Sequence, residues 1–195
     1  MSQNDKLIQA AGEIIEAINH LLQTRNRIYI AIDGRCGAGK STLAEALRKE
    51  LDCDVVHMDD FFLRPEQRTK ERLSKPGENV DHERFLKEVL LPYREGKEFT
   101  YCPYDCHTQS LKEPEKVIPG KILVVEGAYS CRMSLWDFYD IHIFLDVEPD
   151  IQLERIKERN GEKAVERFED LWIPLEEAYF QQSKVQEKCD LIFQI

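Results

Sequence analysis

Apolar residues follow two different spacings along the chain. In residues 5–24 they recur every three or four positions, which predicts an amphipathic helix with a single apolar stripe. Such a stripe either packs on its own domain or pairs with a second copy, and we expect the first. Continuous apolar runs occur instead at 28–32 and 122–125 and in "DIHIFLDV", "CDVVHMDD" and "CDLIFQI". Runs without alternation predict strands that are covered on both faces of a parallel sheet.

Helical spacing returns between these runs. It is found in "KSTLAEALRKEL", "DHERFLKEVLLPYREG", "EPDIQLERIKERN" and residues 162–188, the last of which we expect to be bent or broken at Pro174. Residues 64–80 are polar and contain proline and glycine, which predicts a mobile surface excursion. Short β-like pieces in residues 98–120 predict a projecting hairpin. Strands that alternate with helices predict a three-layer α/β/α fold around a five-stranded parallel sheet, with active groups at the carboxyl ends of the strands.

Composition narrows the class of partner. The 195 residues carry a formal net charge of −10, which argues against nucleic acid or an anionic membrane as the main partner. The first 13 residues lack the features of a secretory signal, and six scattered cysteines suit reduced thiols, so we expect a cytoplasmic protein. Cys102, Cys106 and His107 offer three soft metal ligands without a clear fourth, and any role for them is left open.

The stretch between the first strand and the helix after it, "GRCGAGKS", satisfies the pattern G-x-x-x-x-G-K-[ST]. Glycines let such a turn present consecutive backbone N–H groups, which together with a helix N-terminus form an anion site. Lys40 is expected to reach the β- and γ-phosphates, and Ser41 to complete a magnesium shell. The motif therefore predicts a nucleoside triphosphate with Mg²⁺, with ATP or GTP as the donor. The predicted contacts are Gly34, Arg35, Cys36, Gly37, Ala38, Gly39, Lys40, Ser41 and Thr42.

Cys36 lies inside this loop. Because a helix N-terminus favours negative charge, the sequence predicts a thiolate there that reacts with thiol reagents and is protected by ATP.

Carboxylates follow three of the predicted strands. Asp59 and Asp60 follow "VVHM", with Phe61 and Phe62 as candidate pocket walls, while Glu126 ends "ILVVE" and Asp146 ends "IHIFLD". Either Glu126 or Asp146 suits a metal, and either could instead cap a helix.

Cations that could offset charge on a transferred phosphoryl group are Arg155, Lys157, Arg159 and Arg167, and a solvated helix face explains their pattern equally well.

Seven segments in order resemble the uridine kinase / phosphoribulokinase family of P-loop small-molecule kinases. They are "GRCGAGKS", "HMDDFF", "NVDHERF", "PYDCHTQS", "VVEGAYS", "LERIKERNG" and "KCDLIF". The resemblance implies that Asp59 activates the acceptor hydroxyl and approaches magnesium, and it favours Glu126 over Asp146 as the metal-associated acid. It further implies that Asp81 binds sugar hydroxyls and Tyr104 lies beside the acceptor. Arg155, Arg159 and Arg167 become arginines of a lid that closes over the phosphates, and Lys40 acts with them.

Departures from the family fall on the acceptor side. The hairpin positions that recognise a pyrimidine in uridine kinases are nearest to Gln109 and Leu111 here, and Asp60-Phe61-Phe62 replaces Ser-Phe-Tyr. We therefore expect an ATP-dependent kinase of a small hydroxyl compound, with a nucleoside as first candidate. A ribosyl vitamin, a pantothenate-like compound, a sugar or a sugar phosphate is the alternative.

The expected organisation is an N-terminal helix at 1–24 and a P-loop kinase domain at 25–195. That domain would carry a substrate-side insertion at about 61–118 and a lid at about 150–168. The sequence does not decide whether the protein forms a homo-oligomer. A non-catalytic nucleotide switch is the competing class, but the Asn-Lys-x-Asp motif of GTPase switches is absent from the sequence.

Overall fold

The computed structural model describes residues 2–195, in which helices and strands alternate around one central sheet. The strands are β1 (Ile28–Gly34), β2 (Asp54–His57), β3 (Phe99–Tyr101), β4 (Tyr104–Asp105), β5 (Ser110–Leu111), β6 (Glu115–Val117), β7 (Ile122–Glu126), β8 (Ile141–Asp146) and β9 (Leu191–Gln194). The helices are α1 (Gln3–Leu21), α2 (Lys40–Leu51), α3 (Lys70–Leu73), α4 (His82–Phe85), α5 (Leu91–Glu95), α6 (Pro149–Asn160), α7 (Glu162–Arg167), α8 (Ile173–Ser183) and α9 (Val185–Lys188).

The central sheet has five parallel strands in the order β2-β7-β1-β8-β9. Alternate residues of β1 enter two separate apolar clusters, Ile30 and Ile32 on one face and Ala31 on the other. Both faces are covered, which explains the unbroken apolar runs of the sequence. The predicted three-layer α/β/α fold with a parallel five-stranded sheet is confirmed.

The N-terminal helix α1 packs on its own chain. A capping box begins it, with the Ser2 hydroxyl accepting from the Asp5 amide and the Asp5 carboxylate accepting from the Ser2 amide. The apolar stripe lies against α2 and one face of the sheet, where Ile14 and Ile18 have no exposed surface. The apolar stripe therefore packs on its own domain, which is the arrangement expected from the sequence. This contact buries surface that pairing with a second copy would need.

Two prolines mark changes of helix type. A π-helical turn at Leu86–Leu90 precedes Pro92, and another at Phe168–Trp172 precedes Pro174. Proline lacks an N–H and displaces the carbonyl four residues earlier, which favours such a local change. The bend expected at Pro174 therefore takes the form of a π turn, and the helix ends at Ser183, followed by Lys184 with φ of +52°.

The insertion between β2 and β7 contains the expected hairpin and a polar excursion, and the mobility expected of the excursion stays a prediction. Residues 99–117 form a bent hairpin in which β3 pairs with β6 and β4 pairs with β5, antiparallel in each case. The polar excursion includes α3 and is tied down by charge, since Arg72 pairs with Glu78 and Glu83 while Arg132 pairs with Glu78. None of the helices in residues 2–195 combines the length and apolarity needed to cross a bilayer.

Candidate active site

The loop after β1 presents two sets of backbone amides. The first set has protein acceptors: the amides of Gly34, Arg35, Cys36 and Ala38 donate to Asp33, Leu145, Glu176 and Arg35 respectively. The second set has no acceptor within the described part of the chain, and its members are Gly37, Gly39, Lys40, Ser41 and Thr42. Open amides followed by the N-terminus of α2 suit an anion with several oxygens. The local geometry therefore fits a polyphosphate.

Lys40 is held within the loop. Its Nζ donates to the carbonyl oxygens of Gly34 at 2.6 Å and Arg35 at 3.0 Å. Lys40 has no carboxylate partner in residues 2–195. Neutral carbonyls are weaker partners than phosphate oxygens, so the ammonium group remains available to a phosphate.

Glu126 lies next to the loop because β7 is the neighbour of β1. Its Oε1 accepts from the Ser41 hydroxyl at 3.0 Å and lies 2.5 Å from His57 Nδ1. The hydrogen bond to Glu126 raises the pKa of His57. Asp146 is committed elsewhere, to Arg35, Gln186 and its own strand end. Of the two acids that the sequence left as rivals, Glu126 is the one beside Ser41.

Asp59 occupies the neighbouring strand end, in a helical turn at Met58–Phe61. Asp59 is an exposed residue. Its Oδ1 nevertheless lies close to the backbone that follows β7, because a Cβ added to Gly127 would be 3.5 Å from it. Desolvation and the charge of Glu126 raise the pKa of Asp59, while Lys40, His57 and Arg159 oppose the rise. A carboxylate whose pKa is raised in this way is a better proton acceptor near neutral pH.

Candidate oxygen ligands for a divalent cation come from three neighbouring elements, since the Ser41 hydroxyl donates to Glu126 and the charge of Glu126 acts on Asp59. The Ser41 hydroxyl, Glu126 and Asp59 are hard donors of the kind that Mg²⁺ prefers. The residues present fit that ion.

Four residues expected on the acceptor side have different surroundings: two are in aromatic or cation contacts, one caps a helix and one is exposed. Tyr104 is buried and its hydroxyl accepts from Arg68 at 3.0 Å, while Phe62 packs against Trp172 with ring centroids 6.2 Å apart. Asp81 caps α4 through the Arg84 amide and accepts from Gln67 at 2.6 Å. Gln109 lies apart, in the exposed hairpin turn, with φ of +54°.

The three predicted lid arginines have different surroundings. Arg155 donates to the Gly37 carbonyl at 3.1 Å, so it lies against the glycine loop. Arg159 is exposed and contacts only its neighbour Asn160 within residues 2–195, yet its charge reaches Asp59. Arg167 lies over the Trp172 ring at 5.7 Å. The arrangement brings Arg155 and Arg159 toward the loop and leaves Arg167 at the edge of the aromatic wall.

The thiolate predicted at Cys36 is wrong. Burial and the charge of Glu176 raise the pKa of Cys36 to about 12. The sequence argument considered the helix N-terminus, whereas burial of the thiol has the largest effect and the charge of Glu176, 140 residues away in sequence, adds to it.

We expect alkylation to discriminate between two thiols. Iodoacetamide at pH 8 should label Cys106, which is exposed, and leave Cys36 unmodified, because the thiolate is the reactive form. Peptide mapping by mass spectrometry measures both sites in one sample. Labelling of Cys36 at the rate of Cys106 would contradict the raised pKa.

Asp33 was not singled out from the sequence. This fully buried carboxylate accepts from the amides of Gly34, Tyr129 and Cys131 and from the Tyr179 hydroxyl. It joins the glycine loop to the segment after β7. The available signal was an acid inside an apolar run, "IYIAIDG".

Comparison with known proteins identifies a matching family and relatives of this chain. Residues 30–171 match the family described as AAA domain. The chain is 30% identical over 147 residues to uridine kinase of Alkaliphilus metalliredigens, covering 70% of this chain and 69% of that one. It is 29% identical to uridine kinase of Ligilactobacillus salivarius, covering 70% and 68%.

A solved structure described as a possible uridine kinase from Bacillus stearothermophilus shares the fold. Its TM-score is 0.72 at 20% identity, and the alignment covers 99% of this chain and 100% of that one. With a sequence relationship over most of its length and the same fold, the chain belongs to the uridine kinase-like family of P-loop small-molecule kinases.

Proposed function

We propose that the protein transfers the γ-phosphate of ATP to a hydroxyl group of a small molecule, with a nucleoside as the first candidate. The observation that carries the proposal is the position of Asp59. The charges of Glu126, the acid beside Ser41, and of Lys40, the lysine of the glycine loop, both act on its carboxyl. Phosphoryl transfer needs an acid at that point to orient the acceptor and receive its proton.

The assigned roles follow from the contacts. The amides from Gly37 to Thr42 hold phosphate oxygens, and Lys40 leaves its carbonyl partners to bind the terminal phosphates. Ser41, Glu126 and Asp59 hold Mg²⁺, which when bound offsets charge on the β- and γ-phosphates. Asp59 accepts the proton of the acceptor hydroxyl as that oxygen attacks the γ-phosphorus, and the bond from the γ-phosphorus to the β–γ bridging oxygen breaks, so that ADP leaves. Arg155, Arg159 and Arg167 offset negative charge on the transferred group.

The acceptor lies, in this proposal, between Asp59 and the aromatic residues Phe62, Tyr104 and Trp172. Aromatic walls suit a flat base, which supports a nucleoside. Asp81 and Gln109 are assigned to the same acceptor, Asp81 for its hydroxyls. The substrate-side insertion at 61–118 and the lid at 150–168 then close this space from two sides.

Arg68 supports a second candidate, an acceptor that carries a carboxylate or phosphate. Its guanidinium lies over the Tyr104 ring at 5.8 Å and donates to the Tyr104 hydroxyl, with no carboxylate partner among the described residues. An unpaired cation next to the acceptor wall favours an anionic group there. A pantothenate-like compound and a sugar phosphate carry such a group.

An acceptor panel tests the proposal. ADP production from Mg-ATP would be measured with uridine, cytidine, a ribosyl vitamin, pantothenate and sugar phosphates. We expect at least one neutral nucleoside to stimulate ADP production, and Arg68→Gln to leave that rate within about threefold, since in the part of the chain that the structure describes Arg68 donates only to the Leu63 carbonyl and the Tyr104 hydroxyl and a neutral acceptor offers it no charge to bind.

Stimulation by an anionic compound alone, lost in Arg68→Gln, would replace the nucleoside by the second candidate. ATP binding without stimulation by any compound would favour a nucleotide switch instead.

A further inference from the structure

The first turn of the glycine loop is gripped by side chains from two helices. The Cys36 amide donates to Glu176 Oε2 at 2.9 Å, and Gln152 Nε2 donates to the Cys36 carbonyl at 3.0 Å. Arg155 Nη1 donates to the next carbonyl, that of Gly37, at 3.1 Å. Gln152 and Arg155 belong to α6 and Glu176 to α8, so the backbone of one residue, Cys36, is hydrogen-bonded at its amide by one helix and at its carbonyl by the other.

Burial indicates that these contacts are built in. Glu176 is 6% exposed and Gln152 is 3% exposed, and a buried polar side chain is costly unless it is hydrogen-bonded. Burial raises the pKa of Glu176, and the charge of Lys40 together with the Cys36 amide opposes that rise. Lys40 and the Cys36 amide, both in the loop, therefore partly offset the cost of burying the Glu176 carboxylate.

Helix α8 makes further contacts with the same stretch of chain. Glu177 pairs with Arg35 through both of its oxygens, at 2.7 and 3.0 Å, and the Tyr179 hydroxyl donates to Asp33 at 2.9 Å. Asp33, Arg35 and Cys36 are thus each hydrogen-bonded to a side chain within residues 176–179, about one turn of α8. None of these contacts reaches the open amides, which start at Gly37.

Arg159 lies in the last turn of α6, and Arg167 ends α7, between α6 and α8. Residues 157–171, called here the lid segment, are mostly exposed. They include Gly161, with φ of +83° and open space around it, and part of the π turn at Phe168–Trp172. The lid segment is weakly packed, whereas both of its ends are fixed to the glycine loop by Gln152 and Glu176.

We propose that Glu176 and Gln152 are positioning residues that fasten both ends of the lid segment to the phosphate-binding loop. When the lid segment closes, its position is then set by the loop that holds the phosphates. Arg159 and Arg167 are therefore placed next to those phosphates. The proposal rests on the kinase function proposed above, but it concerns nucleotide binding and closure and does not depend on the acceptor.

The test removes each contact and reads both binding and closure. Glu176→Ala leaves the Cys36 amide without an acceptor, and Gln152→Met keeps side-chain length while removing the donor. We expect each variant to weaken binding of Mg-AMP-PNP by about 10- to 100-fold, the range for losing a hydrogen bond to a charged or buried group. Calorimetry measures this affinity. Hydrogen exchange should show that AMP-PNP slows exchange in residues 157–171 of the wild type and not in these variants.

Two controls separate positioning from general stability. Glu176→Gln keeps an oxygen acceptor for the Cys36 amide, and we expect its affinity and lid protection within about threefold of wild type. Gln182→Ala removes an exposed side chain of α8 and should change neither quantity. If Glu176→Ala fails to fold, Gln152→Met and Glu176→Gln decide the question.

Wild-type affinity together with nucleotide-dependent protection of residues 157–171 in Gln152→Met or Glu176→Ala would overturn the proposal. So would an equal loss in Glu176→Gln and Glu176→Ala, since that result assigns the effect to charge alone. A wild type that binds AMP-PNP but phosphorylates nothing in the acceptor panel would contradict the proposed function and leave this test intact.

Discussion

Asp59→Asn is expected to lower kcat by about 10²- to 10⁴-fold, the usual contribution of a positioned acid or base. Asparagine fills the same volume and can still hold the acceptor hydroxyl, but it cannot take the proton. The affinity for ATP should stay within about tenfold of wild type, because the proposed phosphate contacts are the loop amides and Lys40 and not Asp59. Steady-state kinetics with the active acceptor and calorimetry with AMP-PNP measure the two quantities separately.

Asp60→Asn is the matched control. Burial raises the pKa of Asp60 to about 6, with the charges of Glu115 and Asp59 adding to the rise and those of His57 and Lys112 opposing it. We expect a loss in kcat of less than about tenfold for this variant, since it removes a carboxylate outside the proposed site. A near-normal kcat in Asp59→Asn, or equal losses in both variants, would remove Asp59 from the role of base.

Gly34→Ala is expected to have the largest effect on stability. A Cβ at Gly34 would lie 2.0 Å from the Leu145 carbonyl oxygen and 2.7 Å from the Leu145 amide nitrogen, and φ there is +132°. Both neighbours belong to the backbone of the adjacent strand β8 and cannot move aside cheaply. Overpacking and the unfavourable φ together should lower the free energy of unfolding by about 3 kcal/mol or more. That loss corresponds to roughly 6–12 °C in Tm for a chain of this size.

Gly12→Ala provides the opposite sign in the same protein. Gly12 lies in α1, and no atom lies within 4 Å of the position of an added Cβ. Alanine in an exposed helix should raise the free energy of unfolding by about 0.5–1 kcal/mol. Thermal unfolding of both variants checks the pair. A Tm for Gly34→Ala close to that of Gly12→Ala would contradict the close approach between Gly34 and β8.

Much of the fold was readable from the chain because it follows from local patterns. The strand and helix around "GRCGAGKS" lie where the apolar run and the helical spacing put them, with α2 at Lys40–Leu51. The parallel sheet followed from apolar runs without alternation. The order of its strands was not readable, because hydrogen bonding between strands far apart in sequence leaves no local signal.

The site was only partly readable. Ser41, Glu126 and Asp59 follow or end three different strands, and the strand order β2-β7-β1 makes those strands neighbours in the sheet. The prediction for Cys36 failed because it used one local effect, the helix N-terminus, while burial and Glu176 act more strongly. Asp33 was passed over because its partners, Tyr129, Cys131 and Tyr179, lie about 100 or more residues away.

The sequence by itself determined the repeat of strand and helix, the glycine loop and the family to which the chain belongs, because each depends on residues close together along the chain. Tertiary structure alone decided which carboxylate faces Ser41, what charge state the loop thiol favours and which helices hold the loop. These are matters of desolvation and of hydrogen bonds between distant segments. Their energies depend on what surrounds a group in space, and residue order does not specify those surroundings until the chain has folded.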